Sequence, residues 1–168
     1  MATTLKPLYG SSAALTVTAL NSLASDTNLV EGWSSAVIDN SSNLSDSETI
    51  SYVIKTGTSP TVSTNVYVYI WSILDDTPTY PDTIDGTQGA KTLTSANVRD
   101  SGAFKLGAVI TVDATSNRLY YGAVNVAALF GGHMPKKYGV FIVQNTAAAL
   151  NASGNVVSRC DVTQYQNV

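Results

Sequence analysis

The chain has 168 residues, room for one domain that can bury roughly 70% of its unfolded surface without a metal or disulfide staple. Charged residues are only 12% of it, while Ser, Thr and Asn fill nearly a third, so the surface is solvated by hydroxyls and amides and suits contact with other protein. A net charge of −3 with nine scattered Lys and Arg argues against nucleic-acid packing, and no stretch approaches the ~20 apolar residues of a membrane helix.

Period-two alternation between turn residues is the dominant pattern, and it predicts an all-β chain. Residues 1–12 read as an N-terminal arm and 13–168 as one β-sandwich domain. The first strand is expected over Ala13 to Leu20, with Leu15, Val17 and Ala19 on one face and Thr16 and Thr18 on the other. A second is expected over Ser35 to Asp39, ended by Asn40, Ser41, Ser42 and Asn43, whose side chains favour turns. Ser47 to Thr56 alternates Ile50, Tyr52 and Ile54 against Thr49, Ser51, Val53 and Lys55, and Gly57 to Pro60 stops it. Asn65 to Leu74 carries β-branched or aromatic residues on both faces, which suits a strand covered on both sides or lying in an interface.

From Asp75 to Gly89 the prolines Pro78 and Pro81, with aspartates and glycines, predict a long loop projecting from the sandwich. Strands follow over Lys91 to Thr94 and over Ala103 to Val112, the latter with Phe104, Leu106, Ala108, Ile110 and Val112 on one face. Asn125 to Phe130 fits a short helical turn capped by Asn125 and closed by Gly131. Tyr138 to Gln144 and Asn155 to Tyr165 complete seven or eight strands. These fit a two-sheet antiparallel sandwich, with long crossing loops that favour a jelly roll; an immunoglobulin-like sandwich is the nearest alternative.

Chemistry-bearing residues are sparse. His133 is the one histidine, in a Gly-rich turn, and Cys160 is the one cysteine, in an alternating strand where an inert packed thiol is expected. Asp75, Asp76, Asp82 and Asp85 are hard oxygen ligands, yet their spacing does not match a calcium loop. No catalytic, cofactor or metal residue is therefore assigned. Tyr67, Tyr69 and Trp71 share one strand face, where they either fill the core or form a contact or sugar-stacking row. Trp33, beside Gly32 in a polar neighbourhood, is a candidate for contact outside the core. With the chain ends and the long loop, the expected protein interface comprises Leu5, Leu8, Tyr9, Trp33, Asp75, Asp76, Tyr80 and Asp82.

The opening Leu8 to Ser25, the step Ala36-Val37-Ile38-Asp39-Asn40, the strand Val66-Tyr67-Val68-Tyr69, the segment Val126 to Gly132, and the run from Tyr138 through Asn155 resemble, in that order, the jelly-roll decoration or cement proteins of tailed bacteriophages. That resemblance implies a non-enzymatic virion protein on the capsid surface, made in the host cytoplasm. It implies binding to the major capsid protein, as a homo-oligomer for which a trimer is one expectation. The alternative is a tail-associated or adhesin-like module that recognises a host glycan through Trp33 or the Tyr67, Tyr69, Trp71 row.

Overall fold

The computed structural model describes residues 5–42, 44–77 and 79–167, with side chains for 8–42, 44–77 and 79–162. Its elements are β1 (Leu5–Tyr9), β2 (Ala13–Ala14), β3 (Glu31–Ser34), β4 (Ile38–Asp39), β5 (Ser45–Lys55), β6 (Asn65–Ser72), β7 (Gly89–Thr92), α1 (Ala96–Arg99), β8 (Phe104–Thr111), β9 (Leu119–Asn125), α2 (Val126–Leu129), β10 (Lys137–Gln144) and β11 (Val156–Asn167). They form two antiparallel sheets packed face to face. The first runs β1-β11-β5-β9, with β2 also on β11; the second runs β7-β3-β10-β6-β8, with β4 also on β10.

The topology is that of a jelly roll. Taking β1 with β2 as one strand and leaving out the short β4 and β7, the chain crosses between sheets at every connection except β6 to β8. The neighbours β1-β11 and β3-β10 then bring the two ends of the sequence together, as nested Greek keys require. Part of the segment expected as a free arm belongs to this framework, because residues 5–9 pair with β11 from Leu5↔Asn167 to Tyr9↔Val162. Residues 1–4 lie outside the described residues.

Two apolar layers hold the sheets. Between them, Ile50, Ile54, Val124 and Val157 of the first sheet meet Trp33, Val66, Val68, Ile70, Val140 and Ile142 of the second. The alternate residues of β6 and β10 point the other way, and Tyr69, Trp71, Phe141 and Val143 join Phe104, Ile84 and Leu93 in a second cluster on the outer side of that sheet. Apolar residues on both faces of β6 thus reflect cover on both sides. The loop from Asp75 to Gly89, expected to project, instead lies down as that cover: Ile84 is buried, and Tyr80 meets Trp71 edge to face at 5.9 Å. A sheet face carrying so many large rings is too apolar to remain wet, so the loop that follows β6 folds back over it. Pro78 lies outside the described residues.

Trp33 is likewise corrected from an outside contact to a core residue, with 0% of its surface exposed. Its neighbourhood only looks polar. A Cβ on Gly32 would come within 2.6 Å of the Ile142 carbonyl, so glycine here lets β3 pack closely against β10. Ser34 accepts from the Trp71 indole at 3.1 Å, and Ser35 accepts from the Val140 N–H at 2.9 Å, so both hydroxyls are buried and bonded.

Other elements shift for local reasons. Only Ala13–Ala14 of the first expected strand pairs regularly, although Leu15, Val17 and Ala19 still pack against the core as their alternation requires. In β8 the face is split. Val68 pairs with Ala108 and Tyr69 with Leu106, so Gly107 is an extra, bulged residue. Phe104 therefore joins the outer cluster and Ile110 the inner one, while Leu106 is left 47% exposed. The helical turn stands as expected, its Asn125 side chain accepting from the Ala128 N–H at 3.0 Å.

Candidate functional site

The acidic loop residues fasten the loop to its surroundings. Asp75 accepts from Thr79, Asp76 pairs with Lys136, Asp82 accepts from the Thr94 N–H and hydroxyl, and Asp85 pairs with Lys91 and accepts from Thr87. Among the described residues no group of three or more His, Cys, Asp or Glu is placed to hold a metal ion. His133 lines an open depression of about 560 Å³ with Asn40, Leu44, Ser45, Asp46, Gly132 and Met134. Cys160 sits elsewhere, half-buried on β11 with its thiol 3.5 Å from the Gly10 carbonyl.

The two sheets differ in what they show to solvent. The second is covered on its outer side by its own loop, whereas among the described residues nothing covers the first. The registers of β11, β5 and β9 place Val156, Val53 and Tyr121 in one outward row, Ser158, Ser51 and Ala123 in the next, and Cys160, Thr49 and Asn125 in a third. Ala14 extends the second row, and Tyr9 lies on the same side opposite Val162. None of these side chains is charged. Tyr9 and Tyr121 are each 71% exposed, and Val156 is 45% exposed.

Lys55, opposite Leu119, stands in the outward row at the end of this face, and Asp46 is exposed, whereas Glu48, Arg159 and Asp161 lie on the inward side. Glu48 and Asp161 are directly opposite each other, and Arg159 is opposite the core residue Ile50. Glu48 is fully buried, accepts from the Tyr138 hydroxyl and pairs with Arg159 at 3.3 Å. Burial pushes the Tyr138 phenol up from its ordinary value, and its bond to Glu48 adds to the shift. A buried ion pair beneath an outer face whose centre is uncharged reverses the usual arrangement for a surface in water.

The eight residues expected at an interface lie in different places. Tyr9 belongs to the bare face, and Leu8 on the same strand is 46% exposed; of Leu5 the backbone alone is described. Asp75, Asp76, Tyr80 and Asp82 lie in the loop over the other sheet, and Trp33 is inside, so the eight residues do not converge. Tyr121, Val53, Val156, Ser51 and Ser158, which the sequence reading does not single out, form the outward face with Tyr9. Thr49, Ser51 and Val53, the outward residues of the strand Ser47 to Thr56 before Lys55, become part of a wider surface only with β9 and β11 beside them.

Several carboxylates make stability depend on acidity. Ser41, through its hydroxyl and N–H, and then Lys137, hold Asp39 at about 2. The Lys91 ammonium and Thr87 hold Asp85 well below the ordinary range, Lys136 lowers Asp76, and the Thr115 N–H leads the lowering of Asp113. At Asp26 desolvation pushes upward, but N–H bonds from Glu31, Val30 and Asn28 outweigh it. Each group binds its proton more weakly folded than unfolded, so its stabilising contribution is complete above the unfolded value and lost as pH falls through the folded one. The melting temperature is expected to hold steady above about pH 5 and to drop steadily between about pH 4 and 2. Calorimetry across that range checks this, and a flat profile from pH 4 to 2 contradicts it.

Fold and face together define a jelly-roll domain with one sheet covered by its own loop and the other open, its outer face uncharged at the centre. No family model, curated protein or solved structure matches the chain.

Proposed function

We propose that this chain is a non-enzymatic structural protein of a virus-like particle, which decorates or cements the capsid by seating the outer face of its first sheet on the major capsid protein. The observation that carries the reading is the asymmetry of the two sheets, with a face uncharged at its centre left bare while the chain covers the other itself. Neutral side chains lose little on desolvation, so such a face can dock without a compensating charge on its partner. A face of this size makes a modest interface, and repetition over a symmetric shell turns many modest interfaces into a stable assembly. The jelly-roll topology and the resemblance of the sequence to phage decoration proteins agree with this placement.

Two measurements test it. Mass spectrometry of purified particles is expected to find this chain in numbers comparable with the shell protein; a handful per particle would move the reading to a tail fitting. Ser51 is exposed at the centre of the face, on β5, so Ser51→Arg is expected to leave folding within about 0.5 kcal/mol of wild type. The same change buries an unpaired charge on docking and is expected to weaken particle binding more than about tenfold. Undiminished binding would remove this face from the interface.

A further inference from the structure

A β protein must guard the edges of its sheets, because their outward N–H and C=O groups are free to pair with another chain. Apart from the two-residue strands β2 and β4, which also have one ladder partner each, the edges among the described residues are β1 and β9 in the first sheet and β7 and β8 in the second. Three carry recognisable guards. β1 contains Lys6 and Pro7 with a register shift beside them, β7 is four residues long with Lys91 within it, and β8 contains Lys105 and the bulge at Gly107.

β9 has none of these. Leu119–Asn125 contains no charge and no proline, and its register on β5 runs unbroken from Leu119↔Lys55 to Asn125↔Thr49. Tyr121 and Leu119 are exposed on it, at 71% and 41%. Among the described residues β5 is its one ladder partner, so no strand pairs with its far side.

We propose that β9 is a homotypic pairing edge: two copies of this chain join β9 to β9, antiparallel about a twofold axis, and fuse their first sheets into one. The sequence of the strand favours a second copy over a foreign segment. With the axis at Gly122, Tyr121 of one copy lies opposite Ala123 of the other, Tyr120 opposite Val124, and Leu119 opposite Asn125, so a larger side chain meets a smaller one at each pair. No like charges meet, and the strand offers no charge to select a charged partner. The outward row Val156, Val53, Tyr121 would continue across the axis into Ala123, Ser51 and Ser158 of the second copy, an unbroken uncharged row. This pairing needs no particle and does not rest on what the face itself binds.

The test uses two chains. One carries Tyr121→Lys with Ala123→Lys and the other Tyr121→Glu with Ala123→Glu; both sites are exposed, so each chain is expected to stay folded, as circular dichroism and melting would show. By sedimentation over a concentration series, wild type is expected to be dimeric, and each variant alone to self-associate at least about tenfold more weakly, since like charges stand opposite each other. Mixing the two variants is expected to restore a dimer, and hydrogen exchange of the β9 amides to slow with it. A monomeric wild type, an assembly indifferent to the Lys pair, or a mixture that stays monomeric would each overturn the proposal.

Discussion

Trp71→Ala is expected to destabilise the protein by about 3–5 kcal/mol, the range found when a large buried ring is truncated. Trp71 is fully buried, yet it lies in the outer cluster and not between the sheets, so the prediction tests whether that layer is a true second core. The ring sits over Gly139, where an added Cβ would come within 2.2 Å of it, and Tyr80 closes its other side. The buried Ser34 hydroxyl also loses the indole N–H that donates to it. For a chain of this size the loss corresponds to a fall of roughly 10 °C in melting temperature. A local effect should accompany the global one. Without the ring beneath it, the loop from Asp75 to Gly89 loses its seat, and the Val37 N–H bonded to the Gly86 carbonyl should exchange faster even under conditions where the sandwich persists. Trp71→Phe, which keeps a ring against Tyr80, should show a smaller loss of the same kind. A cost below about 1 kcal/mol for Trp71→Ala would mean that the loop is loosely laid and that the second sheet is in effect open.

The strands that were legible in the sequence are those whose two faces differ or whose run of apolar residues is unbroken. Ile50, Tyr52 and Ile54 in β5 point inward as their alternation dictates, and β10 lies within one residue of its expected start. β8 was legible as a strand but not in its facing, because a bulge at Gly107 turns the face over halfway, and one glycine among alternating residues does not announce this. β9 went unseen for a different reason. Its outward residues Leu119, Tyr121 and Ala123 are as apolar as its inward ones, which erases the contrast on which the reading depends, and that same absence of contrast is what makes it an unguarded edge. β3 was hidden by Gly32 and two buried serines. The interface was sought in loops and termini because these usually reach neighbours, yet whether the long loop projects or lies flat depends on the rings of β6 and β10, residues distant in sequence. Sheet order is non-local in the same way, as Leu5 opposite Asn167 shows.

Arg159→Met is expected to cost about 3 kcal/mol, although its methylenes are largely replaced, because it strands Glu48. The Glu48 side chain has no exposure to water, and Arg159, a quarter exposed, is the cation paired with it. Directly opposite Glu48 on β11 stands Asp161, so loss of the guanidinium also leaves two carboxylates facing each other at one end of the core. Tyr138 continues to donate to Glu48, which sets the loss at the lower end of the range for a broken buried pair. Removing the whole cluster is a different experiment. Glu48→Leu with Tyr138→Phe and Arg159→Met takes away the buried charge together with its partners, and most of the lost stability should return, since an apolar set has no ion to desolvate. Urea unfolding of the single and triple variants measures both effects, and a cost under about 1 kcal/mol for Arg159→Met would show that Glu48 is satisfied without it. If the triple variant is as stable as wild type, the cluster serves register more than stability. A slip of β5 by one residue would turn Glu48 to the outside and Thr49 to the core, so the buried ion pair fixes which side of β5 faces the core and keeps Thr49, Ser51 and Val53 on the outer face.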